Sequence, residues 1–260
     1  MSREASLTIS RIEDAIRKQI GVVYDVDPPL QLNQFCIHTG EKGSGSYGKV
    51  VKARHKQTNT IHAIKIFHEV ITNENMESFE TEYRLLSQIN SDFVVEFRSA
   101  WIEGQRLYIQ TEFCDYNLKK IIDAKNRYFS ASSAASIGQT IDRRLLALID
   151  YFIAYELFEE LTKSLNYLHS LKPPIMHRDL KPENILVLHT IAASGRQFLK
   201  IGDFGYAKPY VYLGQSNSVD KGTVNYMAPE VSRGKHYDTK SDVYNLGLIC
   251  IELFGLDEFQ

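Results

Sequence analysis

Cysteine is scarce and shows no pairing pattern. Cys36, Cys114 and Cys250 are odd in number, far apart and outside any CxxC, which argues against a disulfide framework or a cysteine zinc site and fits reduced thiols. Neither sign of charge dominates, since 30 Lys and Arg stand against 32 Asp and Glu for a formal net charge of −2. Such a balance gives no attraction for nucleic acid or a membrane surface, and neither is expected as a partner. Long apolar runs are missing, so no stretch approaches membrane-spanning length. The charges of Arg11-Ile12-Glu13-Asp14 break the N-terminus where a secretory signal would be apolar. A cytoplasmic or nuclear setting is expected. What is present is 43% hydrophobic residues in 260, enough for one or two sizeable cores.

Residues 1–33 read as an extension. Leu7, Ile9, Ile12, Ile16 and Ile20 lie near helical spacing, and Asp27-Pro28-Pro29 stops any helix. A helix packed outside the main domain, or disorder, is expected there. From Phe35 the pattern turns to strands. Lys42-Gly43-Ser44-Gly45-Ser46-Tyr47-Gly48-Lys49-Val50 is a glycine-rich turn, and glycine lets backbone amides approach phosphate oxygens with no Cβ in the way. A dinucleotide-binding turn should open a helix, whereas Val50–Arg54 and Ile61–Phe67 read as strands. Taken alone, the turn is equally an ordinary glycine hairpin. Lys65 follows in the second strand. Phe79, Tyr83, Leu86 and Ile89 fall at helical spacing and carry Glu77, Glu80 and Glu82 with them. Val94–Phe97 and Leu107–Gln110 read as two more strands turning at Glu103-Gly104-Gln105. A surface insertion is expected at about 124–149, where Ala, Ser and polar residues are frequent up to 142. A long helix is expected over Asp150–Ser170, with Phe158, Leu161, Leu165 and Leu168 inward.

The densest chemistry is His177-Arg178-Asp179-Leu180-Lys181-Pro182-Glu183-Asn184. A hydroxyl that attacks a phosphate needs a group to orient it and take its proton, a cation for developing charge, and a metal ligand. Asp179, Lys181 and Asn184 supply one of each. Asp203-Phe204-Gly205 adds a second carboxylate beside a glycine. A lone loop aspartate is ordinarily a turn or cap residue; here several weak signals stand in one order.

In that order the motifs resemble a eukaryotic protein kinase catalytic domain of serine/threonine type, from roughly Phe35 to the last residue. The resemblance implies an α+β, bilobal fold, with a small antiparallel β N-lobe (34–114) and a mainly helical C-lobe (115–260), and ATP in the cleft. It implies that Asp179 handles the substrate hydroxyl, that Lys181 sits by the transferred group, and that Asn184 and Asp203 hold magnesium. It makes Lys65 the lysine that contacts the α- and β-phosphates, with Ala63 beside it, and Glu82 its partner ahead of Glu77 and Glu80. Thr111 would border the adenine pocket and the backbone at Glu112 and Cys114 would meet the adenine edge. Thr223, in Gly222-Thr223-Val224-Asn225-Tyr226-Met227-Ala228-Pro229-Glu230, would tie Asp179 and Lys181 to the substrate platform. Asp242 would steady the catalytic loop, and Ser216 or, by preference, Ser218 would take a regulatory phosphate facing Arg178.

The stretches Val95–Glu103 and Leu107–Cys114, with Lys240–Ile249, resemble the branch that holds the kinases of translation initiation factor 2 α-subunit and the Wee-type kinases, and the catalytic-loop wording favours the former. That implies the initiation factor as protein partner. Two departures stand out: an enlarged turn including His189–Arg196, and an ending soon after the helix begun near Ser241, so that the C-lobe is incomplete. A C-terminal truncation of this kind would leave Glu230 without its usual arginine. The alternative to an active kinase is a nucleotide-binding, pseudokinase-like regulatory module.

Overall fold

The computed structural model describes residues 31–44, 48–134, 143–188, 198–210, 223–233 and 238–256. The chain divides into two compact units, the first ending at Phe113 and the second beginning at Cys114. The extension expected over 1–33 lies outside the described residues up to residue 30, and Leu32–Gln34 make one 3-10 turn.

The first unit is built on five antiparallel strands: β1 (Phe35–Ser44), β2 (Gly48–His55), β3 (Ile61–Phe67), β4 (Phe97–Glu103) and β5 (Arg106–Glu112). They lie in the order β1-β2-β3-β5-β4. Alternation along β3 sends Ile64 and Ile66 to one face, where they join Phe35, Val51, Ala53, Trp101 and Tyr108 in an apolar cluster. Trp101 and Tyr108 oppose each other across the ladder. Their rings stack at 5.2 Å, and Phe35 stacks on Trp101 at 5.9 Å, arrangements that add about 0.5–1.5 kcal/mol each beyond burial. The β4–β5 turn is two residues long, and Gly104 and Gln105 both take positive φ, +57° and +64°, the backbone a tight hairpin demands. At Gly48 the constraint is space, because a Cβ there would stand 2.4 Å from the Ile66 carbonyl oxygen. The strand expected at Val94 begins only at Phe97. Val94 and Val95 are buried without joining the ladder, so that apolar run records burial and not strand. Helix α1 (Met76–Gln88) buries Phe79, Tyr83 and Leu86 as their spacing predicts, with Phe79 edge-on to Phe67 of β3 at 5.0 Å.

The second unit is mainly helical: α2 (Leu118–Ala134), α3 (Arg143–Ser170), the short α4 (Pro229–Ser232) and α5 (Thr239–Phe254), with the short strands β6 (Tyr116–Asn117), β7 (Ile175–Met176), β8 (Ile185–Val187), β9 (Leu199–Ile201) and β10 (Lys208–Pro209). Leu161, Leu165 and Leu168 of α3 are fully or nearly fully buried. α3 starts at Arg143 and not at Asp150, and α2 runs to Ala134. Most of the stretch expected as an insertion is therefore helix, and 135–142 lies outside the described residues. Two causes are visible. Alanine is a good helix former and serine costs little. Asp150 is also spent on a 2.6 Å ion pair with the buried Lys125 of α2, which fixes both helices there. α5 is capped at both ends, by the Asp238 carboxylate accepting from the Lys240 amide at 2.7 Å and by Gly255 at φ +62°. Across the enlarged β8–β9 connection, the carboxylate of Glu160 on α3 accepts the amides of Phe198 and Leu199 at 2.8 and 2.9 Å.

His62 of β3 gives the first unit a pH dependence. Burial, then the charges of Arg98 and His55, lower its pKa below the ordinary histidine value. As pH falls, the unfolded chain takes up this proton before the folded one does. The folded state therefore loses stability on acidification through the ordinary histidine range. Urea-unfolding midpoints between about pH 7.5 and 5.5 are expected to fall less steeply in His62→Gln than in the wild type.

Candidate active site

The residues singled out by sequence occupy two groups, one in each unit. In the first, ladder register does the positioning. Val50 of β2 pairs with Lys65 of β3, which pairs with Ile109 of β5, and Ala63 pairs with Thr111. Residues two apart on a strand share a face, so Ala63 and Lys65 lie on one face, opposite Ile64 and Ile66 of the aromatic cluster. Lys65 Nζ meets Glu82 Oε1 of α1 at 2.6 Å, with both side chains largely buried. Glu80 instead pairs with Arg84 on its own helix at 3.0 Å, and the side chain of Glu77 lies outside the described residues. Lys42, Gly43 and Ser44 belong to β1, where Gly43 and Ser44 pair with Val50 and Lys49. Gly45, Ser46 and Tyr47 lie outside the described residues, and Gly48 opens β2. The Glu112 amide is committed to the Glu96 carbonyl at 2.9 Å, while its own carbonyl accepts the Thr111 hydroxyl at 3.1 Å. Cys114 is buried.

In the second unit the catalytic-loop residues close on one carboxylate. Asp179 Oδ1 accepts the Thr223 amide at 3.0 Å and the Thr223 hydroxyl at 2.8 Å. Its Oδ2 takes Lys181 Nζ at 2.8 Å and Asn184 Nδ2 at 3.0 Å. Lys181 also donates to Thr223 Oγ1 at 2.6 Å, so sequence-distant Thr223 joins Asp179 and Lys181 as the resemblance implied. Asn184 Nδ2 donates a further bond to the Asp179 carbonyl at 2.8 Å. With its amide nitrogen used in this way, Asn184 keeps Oδ1 as an acceptor. Asp203 is exposed and stands at φ +54°. Two hard oxygen donors suit Mg²⁺, which keeps several waters and needs few protein ligands. Among the described residues there is no group of three or more His, Cys, Asp or Glu with which to build a caged metal site.

The loop is held from below. Asp242 of α5, fully buried, accepts the amides of His177 and Arg178, both at 2.9 Å, and lies 3.0 Å from His169 Nε2 of α3. His177 Nε2 donates to the Gly202 carbonyl at 2.9 Å, joining the catalytic loop to the residue before Asp203. The Phe204 ring, fully buried, stands edge-on to His177 at 5.4 Å. Arg178 and Asp203 are both non-glycine residues in the left-handed region, local strain that packing must hold in place.

Sequence reasoning missed His169, Asn245 and Glu252. The latter two hold Tyr226, Asn245 Nδ2 at its carbonyl and Glu252 Oε1 at its hydroxyl. No motif spacing points to them, because each acts on a partner far along the chain. Glu230, expected to lack its usual arginine, accepts the Ser241 hydroxyl at Oε1 at 2.9 Å, and no ion pair to it is found among the described residues. Ser216 and Ser218 lie outside the described residues.

Residues 38–259 match the protein kinase domain family, and the chain belongs to it. The chain is 33% identical over 212 residues to a probable serine/threonine-protein kinase of Dictyostelium discoideum, covering 81% of this chain and 10% of that protein. It is 30% identical over 230 residues to the interferon-induced, double-stranded RNA-activated protein kinase of Mus musculus, covering 82% and 38%. It is 31% identical over 247 residues to serine/threonine-protein kinase 10-A of Xenopus laevis, covering 93% and 23%. The chain thus spans between a tenth and two fifths of the length of these relatives.

Removing Lys65 takes the cation from a glutamate that is only 3% exposed. Lys65→Met is expected to destabilise the first unit by about 3–5 kcal/mol, and Lys65→Met with Glu82→Leu to recover most of it. Chemical denaturation of the three proteins checks this.

Proposed function

We propose that this chain carries an ATP-dependent serine/threonine protein kinase activity. The observation that carries the reading is the Asp179 carboxylate, bonded at once by Lys181, Asn184 and Thr223. A carboxylate held this firmly by charged and polar donors stays aimed, as a proton acceptor must. The acceptor hydroxyl gives its proton to Asp179 as its oxygen bonds the γ-phosphorus. The bond from that phosphorus to the β-phosphate oxygen breaks, and ADP leaves. Lys181 offsets charge on the transferred group. Lys65, steadied by Glu82, binds the α- and β-phosphates. Asn184 and Asp203 would hold Mg²⁺, which neutralises phosphate charge when bound. Thr223 and Lys181, rather than the residues usual in tyrosine kinases, support a serine or threonine acceptor. Intact Lys65, Asp179, Asn184 and Asp203 speak against a regulatory module without turnover.

The finer reading names the α-subunit of translation initiation factor 2 as the protein acceptor, which would place the reaction in the cytoplasm. It is supported by the wording of 95–103 and 107–114 and by the 30% identity to the double-stranded RNA-activated kinase. Mg-ATP turnover by the purified chain on a generic serine/threonine substrate and on the initiation factor tests both levels. Asp179→Ala is expected to cost about 10²–10⁴ in rate, and the initiation factor to be the preferred acceptor. Folded, nucleotide-binding protein that phosphorylates nothing overturns the activity; turnover without preference overturns the acceptor.

A further inference from the structure

One cation outside the catalytic loop is wired to it. Lys119, in the first turn of α2, places Nζ 3.2 Å from Oε2 of Glu252, in the last turn of α5, and 3.4 Å from Asp123. The other oxygen of Glu252 accepts the Tyr226 hydroxyl. Tyr226 in turn donates its amide to the Thr223 carbonyl at 2.9 Å, and its own carbonyl accepts Asn245 Nδ2. Thr223 gives both its donors to Asp179 Oδ1. A continuous path of polar contacts therefore runs from α2, through the end of α5 and one turn of the 223–226 segment, to the carboxylate that orients the acceptor hydroxyl.

We propose that Lys119, acting through Glu252 and Tyr226, is a positioning residue for the acceptor side of the reaction. The inference rests on the kinase reading above, because it assigns Lys119 a part in that same site. Each link has a physical reason. Glu252 is a charged acceptor with about a fifth of its side chain exposed. Bonded at both oxygens, it is fixed in one rotamer and presents Oε1 to Tyr226. Without Lys119 the carboxylate gains by turning toward water, and the Tyr226 hydroxyl loses a fixed partner. Tyr226 lies in the 3-10 turn that begins directly after Thr223, so its movement is felt at Thr223. Lys119 stays charged: burial opposes its ammonium form, but Glu252 and then Asp123 outweigh that and hold its pKa above the ordinary lysine value.

The path ends on the proton acceptor and the segment beside it, so acceptor handling should change while nucleotide handling does not. Lys119 is itself 39% exposed, and a pair this open contributes little to folding, so Lys119→Ala should remain folded.

Steady-state kinetics and hydrogen exchange on the full 260-residue chain test the proposal together. In Lys119→Ala, kcat/KM for the protein acceptor is expected to fall about two- to fivefold with KM for ATP unchanged. Lys119→Arg should restore it, and Lys119→Ala should add nothing in a Tyr226→Phe background. Amides of 223–226 should exchange faster in Lys119→Ala while those of α3 do not. An equal effect on both KM values, or full additivity with Tyr226→Phe, overturns the positioning role. Unchanged exchange at 223–226 overturns it whatever the turnover. If the wild type phosphorylates nothing, the kinase reading fails, and the exchange data still decide whether Lys119 orders the Thr223 segment.

Discussion

A carboxyl group removed from water needs hydrogen-bond partners on all sides, and Asp242 finds them in three places. Two are consecutive backbone amides of the catalytic loop and the third is the imidazole of His169. This arrangement explains much of the second unit. α5 must be buried along one face, and that face is polar at its start, through Ser241, Asp242 and Asn245, and apolar further on, through Leu246, Ile249 and Leu253. The polar half meets loops that need hydrogen bonds, and the apolar half meets α3. A fully buried aspartate is costly unless every lone pair is used. That cost fixes the loop, because moving it would strand the charge. Arg178 can then persist in the left-handed region, since its amide is one of the donors that Asp242 requires.

The same logic recurs one layer outward with the roles exchanged. At Asp242 the backbone supplies donors to a structural carboxylate. At Asp179, the proposed proton acceptor, side chains supply most of them, and Thr223 adds its amide. The first acid has no exposure and the second very little. What separates them is the balance of partners, two main-chain amides and an imidazole at Asp242 against one amide and three side-chain donors at Asp179. Main-chain amides cannot retreat, whereas a lysine and a hydroxyl can shift when a substrate enters. The partners of Asp242 are thus the firmer set and those of Asp179 the more yielding one.

How much of this could be read from the letters depended on how local each constraint is. Asp179, Lys181 and Asn184 stand within one loop, so their joint purpose shows in their spacing. Lys65 and Glu82 are 17 residues apart, and one strand and one amphipathic helix sufficed to bring them together. The hairpin at 104–105 was legible because few residues tolerate positive φ. Helix ends were not legible. Leu145 and Leu148 lie exposed on α3, so the periodic burial that marks a helix is absent from its first turns. Val94 and Val95 misled for the opposite reason, being buried without a ladder. The partnerships of His169 with Asp242, 73 residues apart, and of Lys119 with Glu252, 133 apart, leave no trace in any window of sequence. Only the packing of α2, α3 and α5 creates them.

Glu160 has a bearing on how this chain could be altered by evolution or by hand. Its carboxylate grips the amides of Phe198 and Leu199, just where the chain rejoins the β8–β9 ladder, and Leu188 donates to the Phe198 carbonyl at 2.9 Å on the other side. The ladder is therefore held at its mouth by α3. Glu160 thus helps to set the register of β8 and β9, and with it the placing of Asn184 and Asp203 that flank them. Replacing Glu160 would therefore loosen that closure from outside the loop.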